Sequence, residues 1–549
     1  MDFILKIGFI VFILLSISLA SADSISVGAL YDSDTSTYSV VSKTECDLNP
    51  RKCVATGTFD DSLMSTGWNT AITTTKGLFG DSQQGYALGL IEAYAWPERI
   101  GQHSRHTKSA MLTYFCPIPD LTEYPDEILD FAHGMIDYIE YKISLEPYDE
   151  YWSTVSAFYN YMKGLQYGLD LYASNEEDKL SFDDVFMLNM VPDLCDLFPA
   201  LLRDPDFDWH DLTYNEVKYM KDVNGHCSAY LVANDDWSDI FFSHNTWIVY
   251  NFATRVLRDS AMSLANAYSH VKYSSYPGCF ASTDDFYVDL ASKMMIFETT
   301  FNTFDLDAYD NLTTQSLPFS LRIMSTIALS DNGQTFIQQF SKENSGTYNS
   351  GFSVLDAKKI TPGTVPTAAY TFTQIEQTPY QVEGRDYTTT FTNQGYFYSV
   401  NIPTMDDVYT QLGYDYEAQL YGDDWVYDEC PRAHIFKRDL PNVNVLDDAK
   451  HVTRYNDYLN DEFSEGDPAN AIASREDLRD ADAGQMPMGA IDGKITSLQM
   501  INESTDHMVA ISGPTYDQQP VFCWSTYPGE ILVDHSNQSD CYQFDWIDF

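Results

Sequence analysis

The stretch NGHCSAYLVANDDWSDIFFSHNTW, Asn224 to Trp247, decides the fold expected for this chain. Cys227 opens one short apolar run, and His244 closes a second one. The polar segment between the runs carries turn residues, so the stretch predicts a β-hairpin. In a symmetric hairpin the midpoint falls between Asp235 and Asp236, which sets Cys227 opposite His244. A thiol that faces an imidazole can become a nucleophile, although a buried structural cysteine is the commoner use of this residue.

The cysteine count is compatible with Cys227 as a nucleophile. The chain has nine cysteines, an odd number, so at least one of them is left outside any internal disulfide bond. Two pairs are close enough in sequence to form local disulfides, namely Cys46 with Cys53 and Cys523 with Cys541. The cysteine left over is the candidate for chemistry.

The N-terminus predicts a secretory signal peptide, residues 1–22. Lys6 precedes an apolar run over residues 7–19, and the small residues that follow suit cleavage after Ala22. A membrane anchor is the alternative, but the run is short for a span. Secretory entry permits disulfides and predicts glycans at three N-x-S/T motifs, which begin at Asn311, Asn502 and Asn537.

Composition points to a globular protein in an acidic compartment. The chain has 549 residues, of which 44% are hydrophobic and 15% aromatic, so it can bury the cores of one large or two to three ordinary domains. Its formal net charge of −50 at pH 7 repels nucleic acid and anionic lipid head groups. An acidic lumen would neutralise part of that charge. We therefore expect an acidic working compartment and no nucleic-acid partner.

Hydrophobic periodicity indicates a mixed α and β chain. Apolar residues between Trp152 and Leu165 recur at three- and four-residue steps, which predicts a helix. Residues 246–268 have a similar helical period. Many short strand-like segments follow in the second half, so antiparallel strands should dominate there.

Several common catalytic motifs are absent from the sequence. It has no G-x-S-x-G elbow, no P-loop and no dinucleotide-binding glycine fingerprint. His103 and His106 form H-x-x-H, but no further ligand pattern accompanies them, so a metal site is not favoured. We expect no cofactor and no metal.

The hairpin residues themselves carry a family resemblance. HCSAYLV followed by FFSHNTW resembles the phospholipase B-like proteins (lamina ancestor family), which are lysosomal or secreted N-terminal-nucleophile hydrolases. STGW (Ser65–Trp68) and QGYALGLIEA (Gln84–Ala93) fit the same family upstream. The blocks that fit downstream, in order, are SSYPG (Ser274–Gly278), DDFY (Asp284–Tyr287), ETT (Glu298–Thr300), NSGTYN (Asn344–Asn349), PRAHIFKRD (Pro431–Asp439), RYNDYL (Arg454–Leu459), GDPANAIASREDL (Gly466–Leu478) and SGPT (Ser512–Thr515). The resemblance thus covers nearly the whole mature chain.

The resemblance implies a fold and a maturation step. The fold would be α+β, a four-layer αββα sandwich of two antiparallel sheets flanked by helices. The precursor would cut its own bond between His226 and Cys227. An N-terminal fragment, residues 23–226, would stay bound to a catalytic fragment, residues 227–549. The new α-amine of Cys227 would then serve as general base to its own thiol.

The resemblance also implies site residues beside Cys227. His244 and Trp247 would shape the pocket, and Thr300 would supply a pocket hydroxyl. Asn401 would donate its amide to the oxyanion, and Arg432 would lie near the nucleophile. Each has a structural alternative: a strand-end cap for His244, plain core for Trp247, a backbone contact for Thr300 and a distant ion pair for Arg432.

Two features depart from the family pattern. Many relatives have tyrosine before the asparagine of the NIP block, where this chain has Val400, and this weakens the match of Asn401. Cys279 and Cys430 follow and precede family blocks at places where cysteine is not the rule, and they could pair with each other.

The activity implied by the resemblance is removal of fatty acyl chains from glycerophospholipids. The expected partner is therefore a phospholipid or another acyl substrate, with no integral membrane span. One alternative is an amidase that acts on N-acylated small molecules or peptides. Another is a non-enzymatic luminal lipid-binding glycoprotein.

Overall fold

The computed structural model describes residues 24–203, 209, 212–224, 227–281, 285–503 and 506–549. Residues 1–22, the predicted signal peptide, and His226 at the predicted cleavage site lie outside these ranges. The strands are β1 (Ile25–Asp32), β2 (Thr37–Ser42), β3 (Cys53–Asp60), β4 (Asn69–Thr75), β5 (Ser228–Ala233), β6 (Ile240–Asn245), β7 (Trp247–Val249), β8 (Val256–Ser263), β9 (Tyr268–Ser275), β10 (Phe286–Asp289), β11 (Met294–Thr300), β12 (Ser350–Asp356), β13 (Phe372–Gln377), β14 (Val382–Asp386), β15 (Tyr396–Ser399), β16 (Met488–Ala490), β17 (Asp492–Ser497), β18 (Val509–Ser512) and β19 (Ile547–Asp548).

The α-helices lie mostly between and outside these strands. They are α1 (Lys43–Leu48), α2 (Leu63–Thr66), α3 (Asp81–Ala95), α4 (Pro97–Ala110), α5 (Asp126–Leu145), α6 (Glu150–Tyr172), α7 (Phe182–Asn189), α8 (Val191–Leu202), α9 (Tyr214–Asn224), α10 (Phe319–Leu329), α11 (Gly333–Phe340), α12 (Thr388–Gln394), α13 (Asp406–Gln411), α14 (Tyr414–Tyr421), α15 (Pro431–Asp439), α16 (Leu446–Thr453) and α17 (Leu498–Glu503). Among the described residues no single helix is long and apolar enough to cross a membrane, although α7 and α8, bent by 91°, meet that test as a pair.

Two large sheets organise the described residues. One has eleven strands in the order β14-β13-β12-β11-β10-β9-β8-β4-β3-β1-β2, and the other has six in the order β15-β5-β6-β17-β18-β19. A small third sheet pairs β16 with β7. The strand pairs are antiparallel except for β4 and β8, which run parallel. The mixed α and β class with dominant antiparallel strands is therefore confirmed.

The two large sheets face each other across an apolar core. Side chains alternate along a strand, so β5 turns Ala229 and Leu231 to this core and Tyr230 and Val232 away from it. The facing sheet contributes residues such as Phe297 of β11. Cys227, immediately before β5, therefore lies at the end of an inner strand of the six-stranded sheet.

Helices cover the outer faces of both sheets. On the eleven-stranded sheet, α3 and α6 pack over β1 and β3 through one large cluster of buried apolar residues. On the six-stranded sheet, α15 and α16 pack over β5, β6 and β17. Helix α6 contains the predicted apolar face from Trp152 to Leu165, so that prediction is confirmed.

The register of the central hairpin differs from the symmetric expectation. His244 pairs with Ala229, and Ser228 pairs with Asn245, so the placement of Cys227 directly opposite His244 is wrong by two residues. The connection is longer than a tight turn: Ala233 pairs with Ile240, and six residues lie between them.

Residues 246–268 are not a helix. They form β7, a short 3₁₀ turn and β8, because this segment pairs with β16 and with β4, which are both remote in sequence. Long-range strand pairing has overridden the local helical period here.

The disulfide predictions are confirmed in part. Cys46 bonds to Cys53, and Cys523 bonds to Cys541. Cys279 and Cys430 do not bond to each other, because they lie in different apolar clusters on opposite sides of the molecule's two sheets. The suggested bridge near the site is therefore wrong.

Candidate active site

Cys227 occupies a fully buried and strained position. Its φ is +94°, in the left-handed region that residues other than glycine rarely adopt. Such a conformation costs about 1–3 kcal/mol and persists only where the surroundings hold it. The structure thus places backbone strain at the residue that begins the inner strand.

Arg432 is the residue that holds this backbone. From the first turn of α15, its Nη1 donates to the carbonyl oxygen of Cys227 at 2.7 Å and to Ser228 Oγ at 3.1 Å. Its Nη2 donates to the carbonyl oxygen of Val400 at 2.8 Å. Its guanidinium also lies 4.4 Å from the ring centroid of Trp247, within cation–π range. One side chain therefore ties together three segments that are remote in sequence.

Asn401 and Thr300 lie beside this junction. Asn401 also has a positive φ, +65°, and its Nδ2 donates to the carbonyl oxygen of Thr300 at 2.8 Å. Its own carbonyl accepts from Tyr414 Oη at 2.7 Å. Thr300 takes part in this contact through its backbone carbonyl oxygen.

His244 lies opposite Ala229, two residue positions along the sheet from Cys227. It is fully buried in β6, between Ala229 on one neighbour strand and Lys494 on the other. Burial lowers the pKa of His244 well below its usual value, and the positive charge of Lys494 lowers it further. Burial and the neighbouring cation thus both lower the pKa of His244 and favour its neutral form.

A large cavity opens next to these residues. Its volume is about 1580 Å³, and Thr300 to Thr303 form part of its wall. The wall is mainly apolar, with residues such as Phe115, Pro199, Leu202, Trp209, Phe301 and Leu306. Residues of α9, the helix that leads to the predicted cleavage site, also line it. Cys227 itself is fully buried and is not among the residues that line this cavity.

The structure thus brings together Cys227, Trp247, Thr300, Asn401 and Arg432, with His244 two residue positions away along the sheet. Sequence reasoning missed Ser228, Tyr414 and a buried ionic group around Lys494. A short-range pattern could not have indicated them, because their partners are up to about 250 residues away.

The two histidines of the H-x-x-H motif, His103 and His106, contact an aromatic ring and a carboxylate. The ring of His103 stacks on Tyr276 at a centroid distance of 4.8 Å, and His106 lies 3.5 Å from a carboxylate oxygen of Asp534. Within the described ranges, no group of three or more His, Cys, Asp or Glu side chains is placed to hold a metal ion.

The asparagines of the three predicted glycosylation motifs lie on the surface. Asn311, Asn502 and Asn537 are all exposed, and Asn502 Oδ1 accepts a hydrogen bond from Lys293. A glycan at any of the three would meet solvent.

Fold and site define a two-sheet α+β protein with a strained, buried cysteine at the head of an inner strand, next to an apolar cavity. The family model described as Phospholipase B matches residues 55–549. The chain belongs to the phospholipase B-like family. "Phospholipase B-like protein B" of Dictyostelium discoideum is 30% identical over 508 residues, covering 91% of this chain and 86% of that protein.

Two animal proteins give similar matches. "Phospholipase B" of Crotalus adamanteus is 29% identical over 516 residues, covering 90% of this chain and 88% of that protein. "Phospholipase B-like 1" of Bos taurus is 29% identical over 508 residues, with the same two coverages, 90% and 88%.

Proposed function

We propose that this protein is a self-processing cysteine hydrolase that removes fatty acyl chains from glycerophospholipids. The observation that carries the proposal is the position of Cys227, buried and strained at the head of β5, with Arg432 on its carbonyl. The names of the relatives, phospholipase B and phospholipase B-like, support a lipid acyl substrate. The two facing sheets between helices suit the αββα sandwich of N-terminal-nucleophile hydrolases.

Maturation would begin at the bond between His226 and Cys227. The Cys227 sulfur attacks the carbonyl carbon of His226, the C–N bond breaks, and the nitrogen takes up a proton to become the free α-amine. Water then hydrolyses the thioester, which leaves a carboxylate on His226 and a thiol on Cys227. Relief of the strain at Cys227, about 1–3 kcal/mol, favours the cut.

Substrate turnover would use the new terminus. The α-amine, with a reference pKa of roughly 7.7–8.0, takes the thiol proton, and the sulfur attacks the acyl ester carbon. The protonated α-amine gives this proton to the leaving alcohol. Water then hydrolyses the thioester, which releases the fatty acid and restores the thiol of Cys227. Asn401 and neighbouring backbone N–H groups would donate to the oxyanion, with Trp247 and Thr300 shaping the pocket.

The two fragments, residues 23–226 and 227–549, would stay together after the cut. Strand β4 of the first fragment pairs with β8 of the second inside one sheet, and α3 and α6 cover that sheet. Many backbone hydrogen bonds and one apolar core would therefore join them.

The segment before Cys227 would gate the cavity. In the continuous chain α9 lies along it, with Lys218 Nζ 3.0 Å from Asp467 and Lys221 Nζ 4.5 Å from the ring of Trp425. Cutting would free the end of α9, and its departure or trimming by other proteases would let substrate reach Cys227.

Entry into the secretory pathway is part of the proposal. Two disulfide bonds and three exposed N-x-S/T motifs suit a secreted or lysosomal glycoprotein whose residues 1–22 are removed. The acidic surface suits an acidic lumen.

Intact-mass analysis and N-terminal sequencing of the purified protein test the central step. We expect a fragment that begins Cys-Ser-Ala-Tyr, and we expect Cys227→Ala to stay as one chain. A wild-type chain that hydrolyses lipid while uncut would overturn the proposed mechanism.

A substrate panel then tests the chemistry. Glycerophospholipids, lysophospholipids and N-acyl amides of equal chain length are offered to the cut protein and to Cys227→Ser. Amide turnover without phospholipid turnover would replace the lipase proposal by the amidase alternative. Tight lipid binding without any turnover would favour the non-enzymatic alternative.

A further inference from the structure

Tyr414 joins two backbone segments beside the candidate site. Its Oη donates a hydrogen bond to the carbonyl oxygen of Asn401 at 2.7 Å and accepts one from the backbone N–H of Asn302 at 2.9 Å. The side chain of Tyr414 is wholly buried, and Asn302 and Asn401 are nearly so. A phenol can donate and accept at the same time. Tyr414 therefore ties Asn401 to Asn302 through a single oxygen atom.

Both of these segments belong to the proposed chemistry. Asn401 is the proposed oxyanion donor, and Asn302 lies in the wall of the large cavity together with Thr300. The side chain of Asn401 meets the same wall, because its Nδ2 donates to the carbonyl oxygen of Thr300 at 2.8 Å. The main chain and the side chain of Asn401 are thus both fixed to one short stretch of cavity wall, residues 300–302.

The two peptide groups that flank Asn401 are each anchored. Its φ is +65°, in the left-handed region that asparagine adopts more readily than most residues. Tyr414 holds the peptide group that follows Asn401, through the carbonyl oxygen of Asn401. Arg432 holds the one that precedes it, through the carbonyl oxygen of Val400 at 2.8 Å. Because a peptide group is planar, anchoring both neighbours fixes the direction of the Cα–Cβ bond of Asn401.

The same anchors refer Asn401 to the candidate nucleophile. The guanidinium of Arg432 that binds the carbonyl of Val400 also donates to the carbonyl oxygen of Cys227 at 2.7 Å. One side of the frame around Asn401 therefore includes the backbone of Cys227, and the other side includes Tyr414. A displacement on the Tyr414 side would move Asn401 relative to Cys227.

Tyr414 is itself held in place by its neighbours. The backbone N–H of Phe304 donates to the carbonyl oxygen of Leu412 at 2.8 Å, and the rings of Phe304 and Tyr414 meet edge to face at 5.0 Å. Gly413 has a φ of +84°, and a Cβ there would lie 2.9 Å from the backbone nitrogen of Asp305. Burial raises the pKa of the Tyr414 phenol above its usual value, so the phenol keeps the proton that it donates.

We propose that Tyr414 is a positioning residue that aims the amide of Asn401 at the oxyanion. This inference rests on the proposed hydrolysis and on the oxyanion role of Asn401. Tyr414 touches no substrate atom in this role and forms no covalent bond. It holds Asn401 in place before the acyl carbon becomes tetrahedral, and a donor that is already oriented stabilises the transition state without reorganisation.

The test measures kcat and KM of the purified mature protein with lauroyl lysophosphatidylcholine and with N-lauroyl ethanolamine. Tyr414→Phe removes the hydroxyl and keeps the ring. We expect kcat to fall between about tenfold and about a hundredfold, since a small displacement of a catalytic group has an effect of this size. KM should stay within about twofold of the wild-type value, because substrate binding is not changed.

A double-mutant cycle separates positioning from a general loss of folded protein. Asn401→Gly removes the amide and suits the positive φ, and it should lower kcat by about a hundred- to a thousandfold. If Tyr414 acts through Asn401, Tyr414→Phe should lower kcat by less than about twofold in the Asn401→Gly background. A loss of folded protein would instead lower kcat by the same factor in both backgrounds.

Tyr409→Phe is the matched control. Tyr409 Oη also donates to a backbone carbonyl, that of Trp425, at 2.9 Å, and its ring lies 5.5 Å from that of Tyr414. This variant removes the same kind of hydrogen bond next door, and we expect wild-type kcat from it. If Tyr414→Phe does not fold, Gly413→Ala displaces the turn that carries Tyr414. Its loss of kcat should again disappear in the Asn401→Gly background.

The outcomes separate this inference from the proposed function. A wild-type protein that turns over neither probe contradicts the proposed function, and the inference falls with it. If the wild-type protein is active, the inference alone is refuted by wild-type kcat in Tyr414→Phe, or by an equal loss in the Asn401→Gly background. A loss in Tyr409→Phe as large as that in Tyr414→Phe would also refute it.

Discussion

Removing the side chain of Arg432 should both destabilise the chain and slow its maturation. Arg432→Met takes the donors away from two backbone carbonyls, those of Cys227 and Val400. An unsatisfied buried acceptor costs about 1–3 kcal/mol, so the free energy of unfolding should fall by about 2–6 kcal/mol. Arg432→Lys keeps the charge and one donor, and it should recover about half of that loss.

The assay needs a chain that stays continuous, so urea unfolding is measured in the Cys227→Ala background. Arg385→Met is the control, because Arg385 forms an exposed ion pair with Glu383, worth less than about 1 kcal/mol. With Cys227 present, Arg432→Met should self-cleave about 100-fold more slowly, since the backbone of the attacking residue is no longer held. Stability within 1 kcal/mol of the parent, together with normal cutting, would refute this reasoning.

Three further predictions concern the scaffold. Burial raises the pKa of Asp193 to about 7, above its unfolded value of about 3.9. The folded chain should therefore lose up to about 4 kcal/mol of stability as pH rises from 4 to 7. Melting curves of Asp193→Asn across this pH range should show a smaller loss of stability than those of the wild-type chain. Gly85→Ala would set a Cβ 1.7 Å from the carbonyl oxygen of Ala157, between α3 and α6, and should lower the free energy of unfolding in urea by about 3 kcal/mol or more. Loss of the disulfide through Cys46→Ser with Cys53→Ser should cost about 2–3 kcal/mol in the same assay, and an unchanged urea midpoint would contradict it.

The hairpin around Cys227 shows what sequence can predict. Its two apolar runs became β5 and β6, as the alternation and the turn residues indicated. Its register was wrong because the connection spans six residues, closed by Asn234, whose backbone N–H donates to the carbonyl of Asp239 and whose Oδ1 accepts from the N–H of Asp239. The assumed centre of the hairpin, between Asp235 and Asp236, was wrong by one residue, and nothing in the apolar runs reveals where the loop is centred.

Some residues of the site could be located from short sequence blocks, and others could not. Family blocks placed Cys227, Asn401 and Arg432 in sequence, and the structure brings them together. Lys494 has no neighbouring motif, and its hydrogen bond reaches Thr246, which is 248 residues away. Burial of an ionic group is decided by which strands become neighbours, and a one-dimensional pattern does not contain that information.

The parallel ladder between β4 and β8 would give the protein a different kind of stability after the proposed cut. In the continuous chain its two strands belong to one molecule, and folding is independent of concentration. After a cut before Cys227 the same ladder joins two polypeptides, so recovery from unfolding becomes a bimolecular reaction that dilution slows. The cut protein would then persist through a slow rate of unfolding and would not regain its fold readily once lost. Maturation would thus be a one-way step, in which a chain that can renature becomes a pair of fragments that must not come apart.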